Sequence, residues 1–206
     1  MAKLFIGIDF DNTLVSYDHL FREEAADLLA NTEIGRATKK EVRDAVRAAT
    51  PDGEERWQQL QARVYVHRMA DAVLADGAGP FLTACVERQI AVAIVSHKTR
   101  FARRDTARVD LRETALYWME AQGFFDRDGY FFRRENVFFE PARSEKVARI
   151  AACGCSDFID DLEEVFRDAG FPPATRRHLF APQEGTLPEG PYTAYRSWKE
   201  IADAIL

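Results

Sequence analysis

The sequence predicts a doubly wound α/β fold, a mostly parallel sheet carrying a small all-helical insert near its start, and three observations lead there. Short apolar runs at Lys3 to Asp9, Ile90 to Val95 and Asp157 to Ile159 are nearly continuous rather than alternating, as in strands covered on both faces. Helical patterns separate these runs, and parallel strands need such crossovers. Residues 17–75, by contrast, are strongly charged and read as helices alone. The expected organisation is therefore a core domain of residues 1–16 and 76–206 and a helical insert of residues 17–75.

The first run ends in the acidic, turn-forming cluster at Asp9 and Asp11, so a buried strand enters a polar loop. Within the insert, one helix is expected over His19 to Ala30. A second starts after Thr38, whose hydroxyl can cap it with Glu41 at the reciprocal position, and runs to about Ala49, where Pro51-Asp52-Gly53 forces a turn. A third is expected from Glu54 to Leu74, with Trp57, Leu60 and Val64 at three- and four-residue spacing.

After Gly77-Ala78-Gly79-Pro80 the rhythm changes. A helix over Pro80 to Arg88 leads into the second strand; Thr106 to Gln122 is helical; Tyr130 to Phe132 and Asn136 to Phe139 are strand-like. Ser144 to Ala152 is helical and Asp157 to Ile159 a strand that ends in two acids. Leu179-Phe180 is expected as a last strand, Pro182 to Pro191 as a surface loop and Ser197 to Leu206 as a closing helix. Trp57, Trp118, Phe131-Phe132 and Phe138-Phe139 read as core.

Composition narrows the function. The 206 residues are 47% hydrophobic, ample for a packed core, and the net charge of −6 comes from 28 basic and 34 acidic residues that are interspersed rather than blocked. No footprint for a nucleic acid polymer exists, so an anionic partner would be small and held locally. The basic run Arg100, Arg103 and Arg104, with Asp105, reads as a solvated helix face. No run approaches a membrane span, and Asp9 interrupts the N-terminal apolar stretch too early for a signal peptide, so a soluble, cytoplasmic protein is expected. Of the three cysteines, Cys85, Cys153 and Cys155, the last two are too close in sequence for an easy bridge. A Cys-x-Cys pair can be half of a zinc site, but no second Cys/His pair accompanies it; reduced thiols near a strand start are expected.

Three strands end in chemically useful residues: Asp9 and Asp11 after the first, Ser96 after the second, Asp160 and Asp161 after the later one. In an open parallel sheet the active site lies beyond the carboxyl ends of the strands. Carboxylates meeting there repel unless a cation is present, and clustered hard oxygen ligands select Mg²⁺.

With these residues in view, Asp9-Phe10-Asp11-Asn12-Thr13-Leu14 resembles the Asp-x-Asp-x-Thr first motif of the haloacid dehalogenase (HAD) superfamily. Ser96 resembles its second-motif Ser/Thr, Lys146 its third-motif lysine, and Asp160-Asp161 the paired acids of its fourth, in the right order across residues 4–161. Taken singly, each has a duller reading: strand-end acids cap helices or form Asx turns, Ser96 caps a helix, Lys146 is a surface lysine. Four motifs in order, each on its expected element, outweigh those readings.

The resemblance implies a Rossmann-like core with a helical cap and a Mg²⁺-dependent phosphomonoester hydrolase acting on a small phosphorylated metabolite, a sugar phosphate or a nucleotide. Asp9 would be the nucleophile that forms an aspartyl-phosphate, and Asp11 the general acid and base whose backbone carbonyl also ligates the metal. Ser96 would donate to a phosphoryl oxygen and Lys146 would balance charge. Asp161 is expected as the direct metal ligand and Asp160 as a water-mediated one, in an order that can be reversed. Thr13, Ser96, His97 and Lys98 are candidate substrate contacts. Mutase or phosphotransferase activity, dehalogenation, and a catalytically weak binding module are the alternatives. A phosphonatase would need a cap lysine, and Lys39 and Lys40 lie on a strongly charged helix.

Overall fold

A computed structural model describes residues 4–102, 107–183 and 185–206. Strands β1 (Phe5–Ile8), β4 (Ala91–His97), β5 (Val137–Glu140), β6 (Asp157–Asp160), β7 (Arg176–Phe180) and β8 (Thr193–Tyr195) form one sheet in the order β5-β4-β1-β6-β7-β8. Every neighbouring pair is parallel. Helices α4 (Ala78–Glu87), α6 (Arg143–Cys153), α7 (Glu163–Phe166) and α8 (Trp198–Ile205) accompany the strands, and α5 (Leu111–Ala121) follows β4 in the chain. The predicted α/β class is thus the observed one.

The central strands are buried because both faces are covered. Ile6, Ile8, Ala93, Ile94, Val95, Phe158 and Ile159 have no exposed surface. On one side Phe158, Phe166 and Phe171 meet edge-on, with ring centroids 5.4–6.5 Å apart. Trp198 of α8 packs against Phe81 of α4 and Phe180 of β7. Gly7 permits a close approach in the sheet: a Cβ there would lie 2.5 Å from Phe158 Cδ2 and 2.9 Å from Cys155 Sγ.

Register brings the polar strand ends together. Ile8 of β1 pairs with Ile94 of β4 on one side and Ile159 of β6 on the other. Asp9 and Asp160 come one residue beyond those pairs and Ser96 two beyond Ile94, so three adjacent strands deliver them at one end of the sheet.

The chain divides into two compact units. Of the described residues, one holds those up to Val15, Leu74–Thr99 and Met119–Leu206, and with them the whole six-stranded sheet. The other holds Ser16–Val73 and those within Arg100–Trp118. A two-stranded ribbon, β2 (Val15–Ser16) with β3 (Val73–Leu74), lies where the chain passes between them.

The second unit contains α1 (Asp18–Ala25), α2 (Lys39–Ala49) and α3 (Gly53–Ala62). Thr38 caps α2 and Glu41 returns the capping bond, as the sequence predicts. Phe21 stacks on Trp57 at 4.9 Å, Tyr17 meets Tyr65 edge-on at 5.0 Å, and Lys39 lies over the Phe21 and Tyr65 rings. The Trp118 indole donates to the Ala72 carbonyl at 2.9 Å.

Several expected elements differ. The third insert helix does not run from Glu54 to Leu74: it loosens into a π-helical turn at Arg63–His67, becomes a 3₁₀ turn at Met69–Asp71, and yields to β3. Its apolar positions do not keep one helical stripe past Val64. Tyr130 to Phe132 is a turn, with Phe131 in the left-handed region (φ 53°) and 62% exposed rather than core. The helix expected from Thr106 begins at Leu111, and Arg103, Arg104, Asp105 and Thr106 lie outside the described residues; Arg100 pairs with Asp110 at 2.6 Å. The sequence does not announce β8, because three residues, Thr-Ala-Tyr, carry too little apolar pattern. No helix among the described residues is long and apolar enough to cross a membrane.

Candidate active site

Asp9 directly follows β1, and its N–H donates to the Ile159 carbonyl at 2.9 Å, prolonging the β1–β6 ladder by one bond. The chain then turns sharply. The Leu14 and Val15 N–H groups both donate to the Phe10 carbonyl, the Asn12 N–H donates to the Val15 carbonyl, and Asn12 takes the left-handed conformation (φ 63°) that asparagine tolerates. The turn is anchored from α8 by the Trp198 indole, which donates to the Thr13 carbonyl at 3.2 Å.

Lys146 stands in the first turn of α6, 1% exposed, and its Nζ lies 2.6 Å from Asp9 Oδ1 and 2.6 Å from Asp160 Oδ2. The second oxygen of Asp160, Oδ1, accepts from the Leu162 N–H at 3.0 Å. Thr13 Oγ1 donates to Asp161 Oδ1 at 3.2 Å. Burial works against the Lys146 charge, but the Asp160 and Asp9 carboxylates outweigh it and hold the ammonium protonated well above the usual lysine range. Burial also pushes the Asp160 carboxyl upward; Lys146 opposes the shift and Asp9 adds to it.

Carboxylate oxygens of Asp9, Asp160 and Asp161 lie within 4.8 Å of one another. One lysine against three acids leaves the group anionic when all are ionised. That charge and the oxygen-only donor set fit a hard divalent cation such as Mg²⁺. The Asp11 carboxylate is elsewhere: Lys98 Nζ donates to its Oδ1 at 2.9 Å and Oδ2 at 2.8 Å. Lys98 is itself 5% exposed, lies 5.4 Å from the Phe10 ring centroid, and is fixed at its backbone by a 2.9 Å bond from its N–H to the Glu140 carbonyl.

Alternation along β4 separates two neighbours. Ser96 is buried, and its Oγ has no hydrogen-bond partner among the described residues. His97 is exposed, with Nε2 3.1 Å from the Pro141 carbonyl. The structure therefore groups Asp9, Asp160, Asp161, Thr13 and Lys146 by direct contact or proximity and pairs Asp11 with Lys98; His97 turns to the backbone of Pro141. Sequence reasoning missed Asn12, whose Oδ1 is likewise buried and without a partner among the described residues. Its signal was the left-handed turn that Asn favours between two motif residues, Asp11 and Thr13.

No family model and no curated relative matches this sequence. Solved structures do match in fold. A HAD-superfamily hydrolase from Ehrlichia chaffeensis superposes with a TM-score of 0.56 at 13% identity, covering 100% of this chain and 98% of that one. Protein tyrosine kinase A from Mycobacterium tuberculosis gives 0.60 at 14% identity, with 98% of each chain covered. A HAD-hydrolase from Bacillus subtilis, described as bound to magnesium, gives 0.51 at 14% identity over 100% of this chain and 99% of that one. The α/β fold of this chain is thus one shared by HAD-superfamily hydrolases, and by at least one protein named for a different chemistry.

Proposed function

We propose that the chain, built on the fold of HAD-superfamily hydrolases, is itself a member that hydrolyses small phosphomonoesters with Mg²⁺. The observation that carries this reading is Lys146 bridging Asp9 and Asp160 at 2.6 Å each, with Asp161 beside them, at the carboxyl ends of adjacent strands. Surplus carboxylate charge beside one buried lysine is costly without a further cation.

Asp9, Asp160 and Asp161 would hold the metal, which when bound offsets the repulsion between a carboxylate and a phosphate dianion and orients both. The Asp9 carboxylate attacks phosphorus, the bond to the leaving oxygen breaks, and an aspartyl-phosphate forms. Asp11 gives its proton to the departing alkoxide and then takes one from the attacking water. Ser96 Oγ–H donates to a phosphoryl oxygen, which supplies the partner that this hydroxyl lacks among the described residues. Lys146 keeps its ammonium against Asp9 as negative charge moves from the carboxylate to the transferred group.

Lys98 sets the resting state of Asp11. Its two hydrogen bonds hold the carboxylate by both oxygens, so taking up and delivering a proton requires that grip to loosen as substrate arrives. A small metabolite phosphate, a sugar phosphate or a nucleotide, is the substrate class this reading implies.

The test is release of inorganic phosphate from p-nitrophenyl phosphate and then from a metabolite panel, with and without Mg²⁺. Metal-dependent turnover abolished by Asp9→Asn supports the proposal; a folded, metal-loaded protein inert across the panel overturns it.

A further inference from the structure

The residues around Asp157 stand at the other end of β6 from Asp160, and the proposed hydrolysis does not use them. Register and alternation put their polar side chains on one face of the sheet. Asp157 pairs with Arg176 and His178 with Thr193, while His178 and Tyr195 each lie two residues beyond a member of those pairs.

Asp157 is fully buried and fixes its neighbours. Arg176 Nε lies 2.8 Å from Oδ1 and Nη2 donates to Oδ2 at 3.0 Å, so the guanidinium is gripped along one edge and Nη1 makes no bond to the acid. With Asp157 ionised, His178 Nε2–H donates to Oδ1 at 2.8 Å, which leaves Nδ1 to accept from the Tyr195 hydroxyl at 3.3 Å. The His178 and Tyr195 rings stack with centroids 5.6 Å apart. These side chains are ordered before any ligand arrives, so little rotamer freedom is lost on binding.

Arg176, His178, Thr193 and Tyr195 line a cavity of about 600 Å³, with Ala204 of α8 and the rings of Pro173 and Pro191 among its other walls. Small-molecule sites span about 300–1,000 Å³. Acids outnumber bases 34 to 28 in the chain, yet no Asp or Glu among the described residues lines this cavity. Asp157 beneath it balances Arg176. Arg177, also in the lining, donates to the Phe166 carbonyl at 2.9 Å and lies 4.7 Å from the Phe171 ring, with no carboxylate partner among the described residues. The cavity is therefore cationic and partly aromatic in an acidic protein.

We propose that this cavity is a second ligand site, separate from the carboxylate cluster, and that it binds a nucleoside monophosphate. Guanidinium N–H groups match phosphate oxygens, and the Arg177 charge with the outer nitrogen of Arg176 supplies them. The Tyr195 and Tyr192 rings and the two prolines offer flat apolar surface to a base. The Thr193 hydroxyl, on the exposed edge strand β8, is placed for a sugar or phosphate oxygen. Inorganic phosphate would use the cation and leave the aromatic walls uncovered; a bare nucleoside would do the reverse.

Photolabelling of the native full chain with 8-azidoadenosine 5′-monophosphate in EDTA, followed by mass mapping of tryptic peptides, tests this. The expected result is saturable label on Asp168–Arg176 or His178–Arg196, with AMP protecting at least ~10-fold better than adenosine or inorganic phosphate. Ala204→Trp and Thr193→Trp change exposed positions and fill the cavity without touching Asp157, so each should cut that labelling at least ~10-fold while the melting temperature stays near wild type. The wild-type map decides the matter even if a variant fails to fold. Label confined to the peptides that carry Asp9 or Ser96, labelling that does not saturate, adenosine protecting as well as AMP, or folded variants that label like wild type would each overturn the proposal.

Discussion

Lys98 grips Asp11 by both carboxylate oxygens, at 2.9 and 2.8 Å, although the two residues stand 87 positions apart and on different strand ends. In the proposed mechanism Asp11 carries the proton, so a lysine that orients it acts on turnover more than on binding. Lys98→Met is therefore expected to lower kcat about 10- to 100-fold with a smaller change in KM, whereas Asp11→Asn, which removes the proposed proton carrier itself, should cost about 10²- to 10⁴-fold. Steady-state kinetics on one aryl phosphate with both variants checks this ordering.

Lys146→Met leaves Asp9 and Asp160 buried without their cation, and breaking a buried pair from one side costs about 3–5 kcal/mol. Thermal unfolding in chelator should show a melting temperature well below wild type. Mg²⁺ should raise that temperature by more in the variant than in wild type, since the carboxylates then depend on the metal alone. Equal Mg²⁺ shifts in both proteins would argue against a cation at this cluster.

Ser96→Ala removes a buried hydroxyl with no partner among the described residues. No internal bond is lost, so stability should stay within about 1 kcal/mol of wild type. Phosphate release should nonetheless fall about 10-fold or more if the hydroxyl serves the phosphoryl group. Urea melts and kinetics on the same preparation separate the two effects.

At the opposite end of β6, Asp157 is fully buried and accepts from Ser156 Oγ, Arg176 and His178. Burial alone would raise its pKa, but the His178, Arg176 and Ser156 bonds outweigh that and hold the carboxyl below its ordinary value of 3.8. A carboxyl depressed in the folded state contributes stability that is complete above the unfolded pKa. The contribution fades as pH falls from there through the lower folded value. Asp157→Asn should be less stable than wild type near pH 6, with the difference narrowing below about pH 4. Melting temperatures from about pH 6 to about pH 2 measure it.

Gly7→Ala places a methyl 2.5 Å from Phe158 Cδ2 and 2.9 Å from Cys155 Sγ, inside a strand buried on both faces. Overpacking of this kind costs about 1–3 kcal/mol. Because Asp9 lies two residues on, the variant should also lose activity beyond its loss of folded protein, as activity per folded molecule shows.

How much of the molecule was legible beforehand depends on the range of the interaction involved. The buried strands, the capping box at Thr38 and Glu41, and the positions of Asp9, Ser96, Lys146, Asp160 and Asp161 could all be read in sequence, because strand burial and helix capping are written in neighbouring residues. Their order along the chain, with crossovers between parallel strands, already implied that the strand ends converge. The end of the third insert helix and the short strand β8 could not be read, since each is decided by packing partners remote in sequence.

By itself, then, the sequence determined that Asp9, Ser96, Asp160 and Asp161 would stand at strand ends and Lys146 early in a helix. Only the tertiary structure decided their pairings: Lys146 between Asp9 and Asp160, Lys98 on Asp11, Thr13 on Asp161, Ser96 Oγ without a partner among the described residues. The physical reason is that side-chain contact depends on register and on strand alternation. Neighbours such as Ser96 and His97 point to opposite faces, and which face meets the acids is set by the pairing of β1 with β4 and β6.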